Sequence, residues 1–415
     1  MRGTFRRLAK VAALAAVFGL SCASTERRSA VPFDLSTKAH VVGFPPEIRY
    51  FPRDAAHVEQ FVEDYEASLE RERDWLASHG HPGPLPPSCF LAISGGGDNG
   101  AFGAGLLNGW GKTGTRPEFK LVTGVSTGAL IAPFAFLGPA WDERLKTLYT
   151  EISMQDVAKP RWPMSVLFQD AMADNSPLLK LIQRAITREM LDAIAAEYEK
   201  GRILLVATAN LDVRRAVIWN ITKIATSRSA SALELVQKIL IASAAIPGTF
   251  PPVMIDVEAD GKSYQEMHVD GGTVAQVFIY PAAIRLYELA PRERTLYIIR
   301  NARLDPEWAE VERRTLPIAL RAISSLIQYQ GIGDLYRIYT VTQRDKVAYR
   351  LAYIPQSFDT PHTSEFDTSY MRALFQLGFS MAEKGYPWEN RPPVLVSGVD
   401  DLASGSHDSD APHQP

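Results

Sequence analysis

The chain has 415 residues, of which 46% are hydrophobic and 22% are charged, values typical of a globular protein with one large domain or two ordinary ones. Its formal net charge of −3 provides no basic surface for nucleic acid, so we expect no nucleic-acid partner.

The N-terminus has the layout of a secretory signal peptide. Four basic residues at positions 2, 6, 7 and 10 precede an apolar run over residues 11–20, which is too short to span a bilayer comfortably. The following Leu20-Ser21-Cys22 resembles a bacterial lipoprotein signal, although Gly19 occupies a position where that signal usually has leucine. We therefore expect residues 1–22 to direct export to the bacterial cell envelope (outer membrane or periplasm), with Cys22 as the lipidation site. A conventionally cleaved signal and an uncleaved anchor are the alternatives.

Residues 23–87 are predicted to form a tether and an N-terminal helical extension. Residues 25–38 are polar and suggest the tether, whereas apolar residues recur at helical spacing over residues 54–79. The acid-rich polar face of this helix favours packing on the main domain over contact with lipid. Four prolines between positions 82 and 87 predict a rigid linker before the domain.

A glycine-rich turn follows the first apolar strand, residues 89–93. Cys89 in this strand is interpreted as a buried small residue and not as a reactive thiol. Residues 95–100 fit G-x-G-x-x-G, and three interpretations are open: an oxyanion hole, a dinucleotide site or a structural turn. Glu118 precedes the next strand, whereas the dinucleotide fingerprint requires an acidic residue at that strand's end. The absence of G-K-[ST] excludes a P-loop.

The stretch 121–130 reads as a strand, a sharp turn and the start of a helix. Gly124, Ser126 and Gly128 form G-x-S-x-G, the pattern of a nucleophile elbow. Side chains at the two glycines would collide with the neighbouring strand and helix, and the helix directs its free amides toward the serine. The alternative interpretation is a tightly packed turn with an idle serine.

A serine nucleophile needs a base to accept its proton, and nothing in the sequence marks any histidine of the chain as that base. His268 is interpreted as a core residue on an apolar strand. Asp270 ends that strand before Gly271 and Gly272, and desolvation could raise its pKa from the usual value of about 3.9 into a working range. A turn or capping aspartate is the alternative at this position.

The remaining sequence alternates strands with helices, which predicts an α/β layered domain. A long helical region opens at Ser176-Pro177 and closes near residue 200. Further strands are predicted at 203–208, at 216–219 as its antiparallel neighbour, at 268–270, at 295–300 and at 347–354, with helices at 233–245, 316–342 and 369–384. Residues 301–395 are assigned no chemistry, and residues 400–415 are predicted to be disordered.

The glycine turn, the elbow and Asp270-Gly271-Gly272 together resemble the patatin-like phospholipases, whose motifs occur in this order. Residues 208–212 and 242–253 also resemble that family. The resemblance covers residues 88–285 and implies a three-layer α/β/α fold with a mostly parallel central sheet. It also implies a serine–aspartate dyad and hydrolysis of lipid acyl esters. Residues 286–395 are then a C-terminal α/β extension, and residues 396–415 a tail. Many members carry Arg or Lys after the glycine triplet, where this chain has Asp98 and Asn99.

We therefore expect a membrane-associated lipid acyl hydrolase that acts on phospholipid or lysolipid. Ser126 is the expected nucleophile and Asp270 the expected proton acceptor. The remaining predicted site residues are the oxyanion-hole residues Gly95, Gly96, Gly97 and Thr127, and the motif glycines Gly100, Gly124, Gly128, Gly271 and Gly272. No cofactor or metal is expected, because no ligand cluster with metal spacing is visible in the sequence. A catalytically idle lipoprotein that binds lipid or scaffolds envelope proteins is one alternative, and a nucleotide-binding oxidoreductase is the other.

Overall fold

The computed structural model describes residues 27–160, 170–306 and 308–392 of the chain. Its strands are β1 (His40–Val41), β2 (Arg49–Tyr50), β3 (Ser88–Ile93), β4 (Phe119–Val125), β5 (Lys159–Pro160), β6 (Ala173–Asp174), β7 (Ile203–Asn210), β8 (Arg215–Asn220), β9 (Val253–Ala259), β10 (Lys262–Asp270), β11 (Arg294–Arg300) and β12 (Val347–Tyr353). Its helices are α1 (Ala55–Ser78), α2 (Gly100–Lys112), α3 (Thr127–Leu137), α4 (Asp142–Thr150), α5 (Met154–Val157), α6 (Ser176–Ala185), α7 (Arg188–Glu199), α8 (Ile221–Thr226), α9 (Ala232–Ser243), α10 (Leu286–Leu289), α11 (Thr315–Arg344) and α12 (Thr368–Glu383).

Within the described residues, every strand except the short pair β5–β6 joins one mixed sheet. Its centre is parallel, with β7, β4, β3, β11 and β12 side by side in that order. Every residue of β4 and β7 is buried, as expected for strands covered on both faces. The antiparallel strands β8 and β10 pair with β7, and β9, β1 and β2 extend the sheet from them.

Helices cover both faces of the sheet. On one face, Phe102 of α2, Ile131 of α3 and Ile239 of α9 belong to one apolar cluster. On the other face, Phe61 of α1 and Leu335 of α11 belong to a second cluster. The predicted three-layer α/β/α fold with a mostly parallel central sheet is therefore confirmed, and its parallel part is the five central strands.

The N-terminal helix packs on the domain, as its acid-rich polar face predicts. Asp54 caps α1 by accepting a hydrogen bond from the backbone N–H of His57. Phe61, Tyr65 and Leu69, which follow one another every four residues, are buried. This apolar face is therefore used in the core and is not free for lipid.

The structure differs from the sequence analysis, or adds to it, in three places within the described residues. Residues 27–38 are not a tether: the backbone carbonyl of Ser29 accepts a hydrogen bond from the Gln265 N–H at 3.1 Å, and Val31 is buried. The helical region predicted from Ser176 to near residue 200 is present and consists of two helices, because Ile186 is extended and Thr187 caps α7. Strand β9 was not predicted at all, and it forms an antiparallel hairpin with β10.

Residues beyond 285 continue the same core. β11 lies between β3 and β12 in the sheet, and α12 packs against α2 through close backbone contact. A Cβ added at Gly105 or Gly109 would lie 2.0 or 2.2 Å from the carbonyl oxygens of Phe375 and Phe379. Glycine is therefore required at both positions for the two helices to approach. The C-terminal segment thus contributes two sheet strands, β11 and β12, and a helix that packs on the helix after the glycine-rich turn.

Candidate active site

Ser126 occupies a strained turn between β4 and α3. Its φ of 55° and ψ of −127° are unusual for a residue with a side chain, and such strain is concentrated at functional sites. A Cβ at Gly124 would lie 2.4 Å from the Gly128 carbonyl oxygen, and one at Gly128 would lie 2.3 Å from the Ile93 carbonyl oxygen. The two glycines therefore allow the strand, the turn and the helix to pack together around the serine.

The sheet topology brings Ser126 and Asp270 together. Residues 205–210 of β7 pair with β8 on one side, so that β4 and β10 share the other side. β4 runs parallel to β7 and ends with Val125 opposite Ala207, whereas β10 runs antiparallel and ends with Asp270 opposite Thr208. The two strands thus meet end to end, and the Ser126 side chain lies close enough to the Asp270 carboxyl group to act on the pKa of that carboxyl.

Asp270 is buried and has a raised pKa. Burial raises the pKa of its carboxyl group from 3.8 to about 6, and the nearby Ser126 side chain and the Gly272 N–H oppose that rise. The Gly272 N–H donates to Oδ1 of Asp270 at 2.7 Å. Because Ser126 and Asp270 are only 7% and 5% exposed, the pair lies in a site with little water. A carboxylate in this setting is a stronger base than one in solvent.

The last residue of α9 and the turn that follows it anchor the backbones of Ser126 and Asp270. The Ser126 N–H donates to Oγ of Ser243 at 3.0 Å, and this hydroxyl donates to the Ala207 carbonyl oxygen at 2.7 Å. The Asp270 N–H donates to the carbonyl oxygen of Ala245 at 2.9 Å. Sequence reasoning gave Ser243 no role, although it lies in the stretch 242–253 that carries part of the family resemblance.

The glycine-rich turn lies beside Ser126, but its backbone N–H groups differ in whether they already donate a hydrogen bond within the protein. The Gly95 N–H donates to the Gln276 carbonyl oxygen at 3.0 Å, so the prediction of Gly95 as an oxyanion donor is wrong. Gly96 and Gly97 have φ of 156° and 59°, conformations that favour glycine. Within the described residues, no hydrogen bond occupies the N–H groups of Gly96, Gly97 or Thr127. These three N–H groups can receive an acceptor from outside the protein.

Asn301, directly after β11, holds both ends of this turn. Its N–H donates to Oγ of Ser94 at 2.9 Å, and its Nδ2 donates to the Ser94 carbonyl oxygen at 3.0 Å. Its Oδ1 accepts the N–H of Gly103 at 3.0 Å. A Cβ at Gly96 would lie 2.0 Å from the Asn301 carbonyl oxygen. Asn301 is fully buried, so these hydrogen bonds are shielded from water.

The loop before α12 holds the other side of the turn. Oδ2 of the buried Asp98 contacts Nε2 of His362 at 2.7 Å and accepts the N–H of Phe366 at 2.8 Å. Asn99 accepts a hydrogen bond from the Tyr370 hydroxyl at 2.6 Å. The two residues that stand where many family members carry a basic residue are therefore fixed by the C-terminal segment. Residues 301–395, to which the sequence assigns no chemistry, thus supply contacts that hold the glycine-rich turn.

Two further contacts complete the surroundings. Oγ1 of Thr127 is hydrogen-bonded to the Tyr149 hydroxyl, and a Cβ at Gly100 would lie 2.2 Å from that Oγ1 atom. A Cβ at Gly271 would lie 2.5 Å from the Ala207 carbonyl oxygen. Both glycines are thus required where the chain crosses a neighbouring element closely.

In the described residues, ligand atoms of Asp98, His362 and Glu365 lie within 4.8 Å of one another.

His268 is a core residue, as the sequence suggests. Its Nε2 contacts Glu266 at 3.0 Å and its Nδ1 contacts the Thr208 hydroxyl at 2.8 Å, which also accepts the Trp219 indole N–H. Burial lowers the pKa of His268. Burial favours a higher pKa for Glu266, but Arg49 and His268 outweigh it and lower the value to about 2. This buried network supports the strand that ends at Asp270 and does not contact Ser126.

The dinucleotide interpretation conflicts with the position of Glu118. This residue precedes β4, at the edge of the sheet opposite to the glycine turn, and pairs with Arg202 at 3.1 Å. It cannot contact a ribose bound at the turn. Ser126, the glycine-rich turn and Asn301 instead lie together at the carboxyl ends of the parallel strands.

An apolar cavity of about 320 Å³ lies behind the loop that follows Asp270. It is lined by residues of β7, β8, α1, α11 and the segment 274–282. Val274 and Ala275 face this cavity, whereas the carbonyl oxygen of Gln276 binds the Gly95 N–H. Neither Ser126 nor Asp270 lines it, so this space is separate from the serine.

The predicted signal peptide, Cys22 and the tail lie outside the described residues. Within the described residues, no helix has both the length and the apolar character needed to cross a membrane.

Residues 91–283 match the family model described as Patatin-like phospholipase. Among solved structures, VipD from Legionella pneumophila overlaps 72% of this chain and 67% of its own chain, with 12% identity and a TM-score of 0.32. The type III effector protein ExoU overlaps 73% of this chain and 54% of its own, with 15% identity and a TM-score of 0.21. At these scores neither overlap supports an inference about fold or activity. No curated protein sequence gives a significant match to the chain.

Proposed function

Because residues 91–283 belong to the patatin-like phospholipase family, we propose that this protein is a serine-dependent lipid acyl hydrolase. The proposed reaction is hydrolysis of a carboxylic ester of a phospholipid or lysophospholipid. The observation that carries the proposal is the end-to-end meeting of β4 and β10, which pairs the strained Ser126 with the buried Asp270.

In the proposed first step, Oγ of Ser126 attacks the ester carbonyl carbon while the Asp270 carboxylate accepts the hydroxyl proton. The carbonyl π electrons move to the oxygen and give a tetrahedral oxyanion. When this intermediate collapses, the ester C–O bond breaks and Asp270 returns its proton to the leaving alkoxide. The products are an acyl-enzyme on Ser126 and the released alcohol or lysolipid.

The developing oxyanion needs donors that are in place before the reaction. The N–H groups of Gly96, Gly97 and Thr127 are unoccupied among the described residues, and Thr127 is the first residue of α3. A helix N-terminus adds a partial positive charge at this point. Losing one such donor typically costs about 10²–10³ in rate.

In the proposed second step, water attacks the acyl-enzyme while Asp270 accepts one of its protons. The new oxyanion uses the same donors, the Ser126–acyl bond breaks, and Asp270 returns the proton to Oγ. The fatty acid leaves and the free enzyme is restored. All protons and electron pairs are balanced by substrate, water and these two side chains.

We also propose that the protein is exported and held at a bacterial membrane through Cys22. The basic residues, the apolar run and Leu20-Ser21-Cys22 support this part of the proposal. An anchor would keep the enzyme where its substrate is concentrated. Replacement of Cys22 by alanine is expected to move the protein from the membrane fraction to the soluble fraction, and unchanged fractionation would contradict the anchor.

The decisive experiment labels the purified protein with a fluorophosphonate and measures acid release from p-nitrophenyl esters. Ser126→Ala should abolish labelling, and both Ser126→Ala and Asp270→Asn should lower ester hydrolysis by roughly 10³-fold or more. Asp260→Asn is the matched control, because Asp260 is exposed in the β9–β10 turn. Neither labelling nor hydrolysis in the parent chain would favour a catalytically idle lipid-binding lipoprotein, whereas hydrolysis that persists in Ser126→Ala would exclude Ser126 as the nucleophile. Labelling at full rate in Asp270→Asn would exclude Asp270 as the base.

A further inference from the structure

Large apolar side chains are exposed along the first half of α11 and just before it. Trp308 is 88% exposed, Leu326 71% and Tyr329 72%. Ile318 and Ile323 are each about half exposed, at 50% and 52%. Contiguous exposed apolar surface on a folded protein usually marks an interaction site.

This part of the helix has almost no charge. Arg321 is the only charged residue between positions 315 and 333. An ordinary surface helix carries an apolar stripe toward the core and charged residues toward water. Here the side that would face water carries isoleucine, leucine and tyrosine, which is the pattern of a helix half that contacts hydrocarbon.

The exposed half projects from the edge of the sheet that carries Ser126. Gly331 packs against Arg300, the last residue of β11, since a Cβ at Gly331 would lie 2.6 Å from Cζ of Arg300. The rest of α11 runs back along the sheet to the start of β12. Residues 315–330 therefore form about 24 Å of helix on the far side of this contact from the sheet, at 1.5 Å per residue. β3, β4 and β11 are parallel, so this is also the edge that bears the elbow and the glycine turn.

The projecting half is fixed to the body of the protein. Nε2 of Gln328 donates to the Asp305 carbonyl oxygen at 3.0 Å. Asp334, one turn beyond Gly331, accepts the N–H of Gln276 at 2.6 Å and that of Val277 at 3.3 Å. Gln276 in turn binds the Gly95 N–H. The exposed apolar residues thus have a defined position relative to the site.

We propose that residues 308–330 form a membrane-docking surface that inserts into the outer part of a lipid bilayer and presents the Ser126 edge to lipid. The occupant is a bilayer because its hydrocarbon matches the helical part of this surface, residues 315–330, in which Arg321 is the single charged residue. Trp308 and Tyr329 are of the residue types favoured at the membrane–water interface. The rest of the surface, residues 308–314, carries two glutamates and two arginines whose formal charges cancel, and Arg314 pairs with Glu312 at 3.3 Å. Insertion therefore depends mainly on apolar contact.

Insertion of residues 308–330 into a bilayer does not depend on the proposed hydrolysis. The idea that insertion presents Ser126 to its lipid substrate rests on that proposed function. The two ideas are therefore tested by separate measurements.

The first measurement uses the full chain with Ser126→Ala, so that lipid is not consumed, and vesicles of dibrominated phosphatidylcholine. Trp308 emission should be quenched at both low and high salt, and the quenched component should disappear in Trp308→Phe. The double change Ile323→Ser, Leu326→Ser should remove at least 80% of the quenching. Tyr287→Ser is the matched control, because Tyr287 is 42% exposed and packs against Lys346 near the opposite edge of the sheet.

No quenching in the parent chain, or full quenching in the double variant, would overturn the proposal. A dimer in light scattering that the double variant dissociates, without any quenching, would assign the surface to a second copy instead. With Ser126 present, the double variant should hydrolyse a water-soluble p-nitrophenyl ester normally but vesicle phospholipid at least tenfold more slowly. Loss of both activities would contradict a docking role, while quenching in a protein that cleaves neither substrate would contradict only the hydrolase proposal.

Discussion

The region that matches the family model and the segment that follows it contribute differently to one site. Residues 91–283 contain Ser126 and Asp270, which are proposed to react, and the three N–H groups that have no hydrogen-bond partner in the part of the chain that the structure describes. Asn301, His362 and Tyr370 lie outside that region and hold the glycine turn in place. The candidate reacting groups and the side chains that hold them in place therefore come from different parts of the chain. The C-terminal segment is part of the candidate site for this reason.

This contrast makes a prediction about pH. Asp270 must be ionised to accept a proton, and burial raises the pKa of its carboxyl group to about 6. Lowering the pH protonates it, so kcat/KM should be constant well above pH 6 and fall about tenfold per pH unit below it. At pH 4 the loss should be roughly hundredfold. A pH–rate profile of a soluble ester measures this, and a profile that stays flat to pH 4 would remove Asp270 from the reaction.

Changes in the C-terminal segment should lower the rate without moving that midpoint. Asn301→Ala removes two buried hydrogen bonds of the turn and leaves the Gly103 N–H and the Ser94 carbonyl without partners. An unsatisfied buried group costs about 1–3 kcal/mol, so kcat should fall roughly 10–100-fold while KM changes little. Stopped-time assays with urea unfolding curves separate misplacement of the turn from loss of fold.

Two outcomes for Asn301→Ala would contradict the division between the two regions. One is an unchanged kcat in a folded variant, and the other is a shifted pH midpoint, which would give Asn301 a part in the proton transfer itself.

The smallest effect is expected at His362. Its side chain is 35% exposed and makes one hydrogen bond to Asp98, so His362→Ala should reduce kcat about two- to tenfold. His362→Gln keeps an N–H donor and should recover most of the loss. Steady-state kinetics of both variants test this, with His79→Ala as the control, since His79 is exposed at the end of α1. Failure of glutamine to restore the rate would mean that the contact to Asp98 does not position the turn.

The fold and the reacting groups were accessible from sequence because their signals are local. G-x-S-x-G and the strand and helix around it lie within ten residues, and the sharp turn that they require is a backbone property. The family resemblance then associated the elbow with Asp270. Likewise, the period of buried residues in α1 follows from its helical geometry.

The supporting contacts had no local signal. The Gly95 N–H is occupied by a carbonyl group about 180 residues away in sequence, and nothing near Gly95 indicates this partner. Asn301 and His362 are single polar residues in loops. Whether they bind the glycine-rich turn depends on which strand and helix ends the topology places beside them. The exposure of the first half of α11 was also hidden, since the same apolar residues would fit a buried helix equally well.

Short-range spacing in the amino-acid sequence was therefore sufficient for the layered α/β class, for the elbow serine and for a downstream carboxylate as its candidate partner. Tertiary structure was needed to show that β4 and β10 end against each other on one side of β7, which turns two distant motifs into a contact. It was also needed to show which glycine amides are free and which apolar side chains face outward. The physical reason is that hydrogen-bond partners and burial are set by the neighbours in space, and those neighbours come from segments that no local pattern relates.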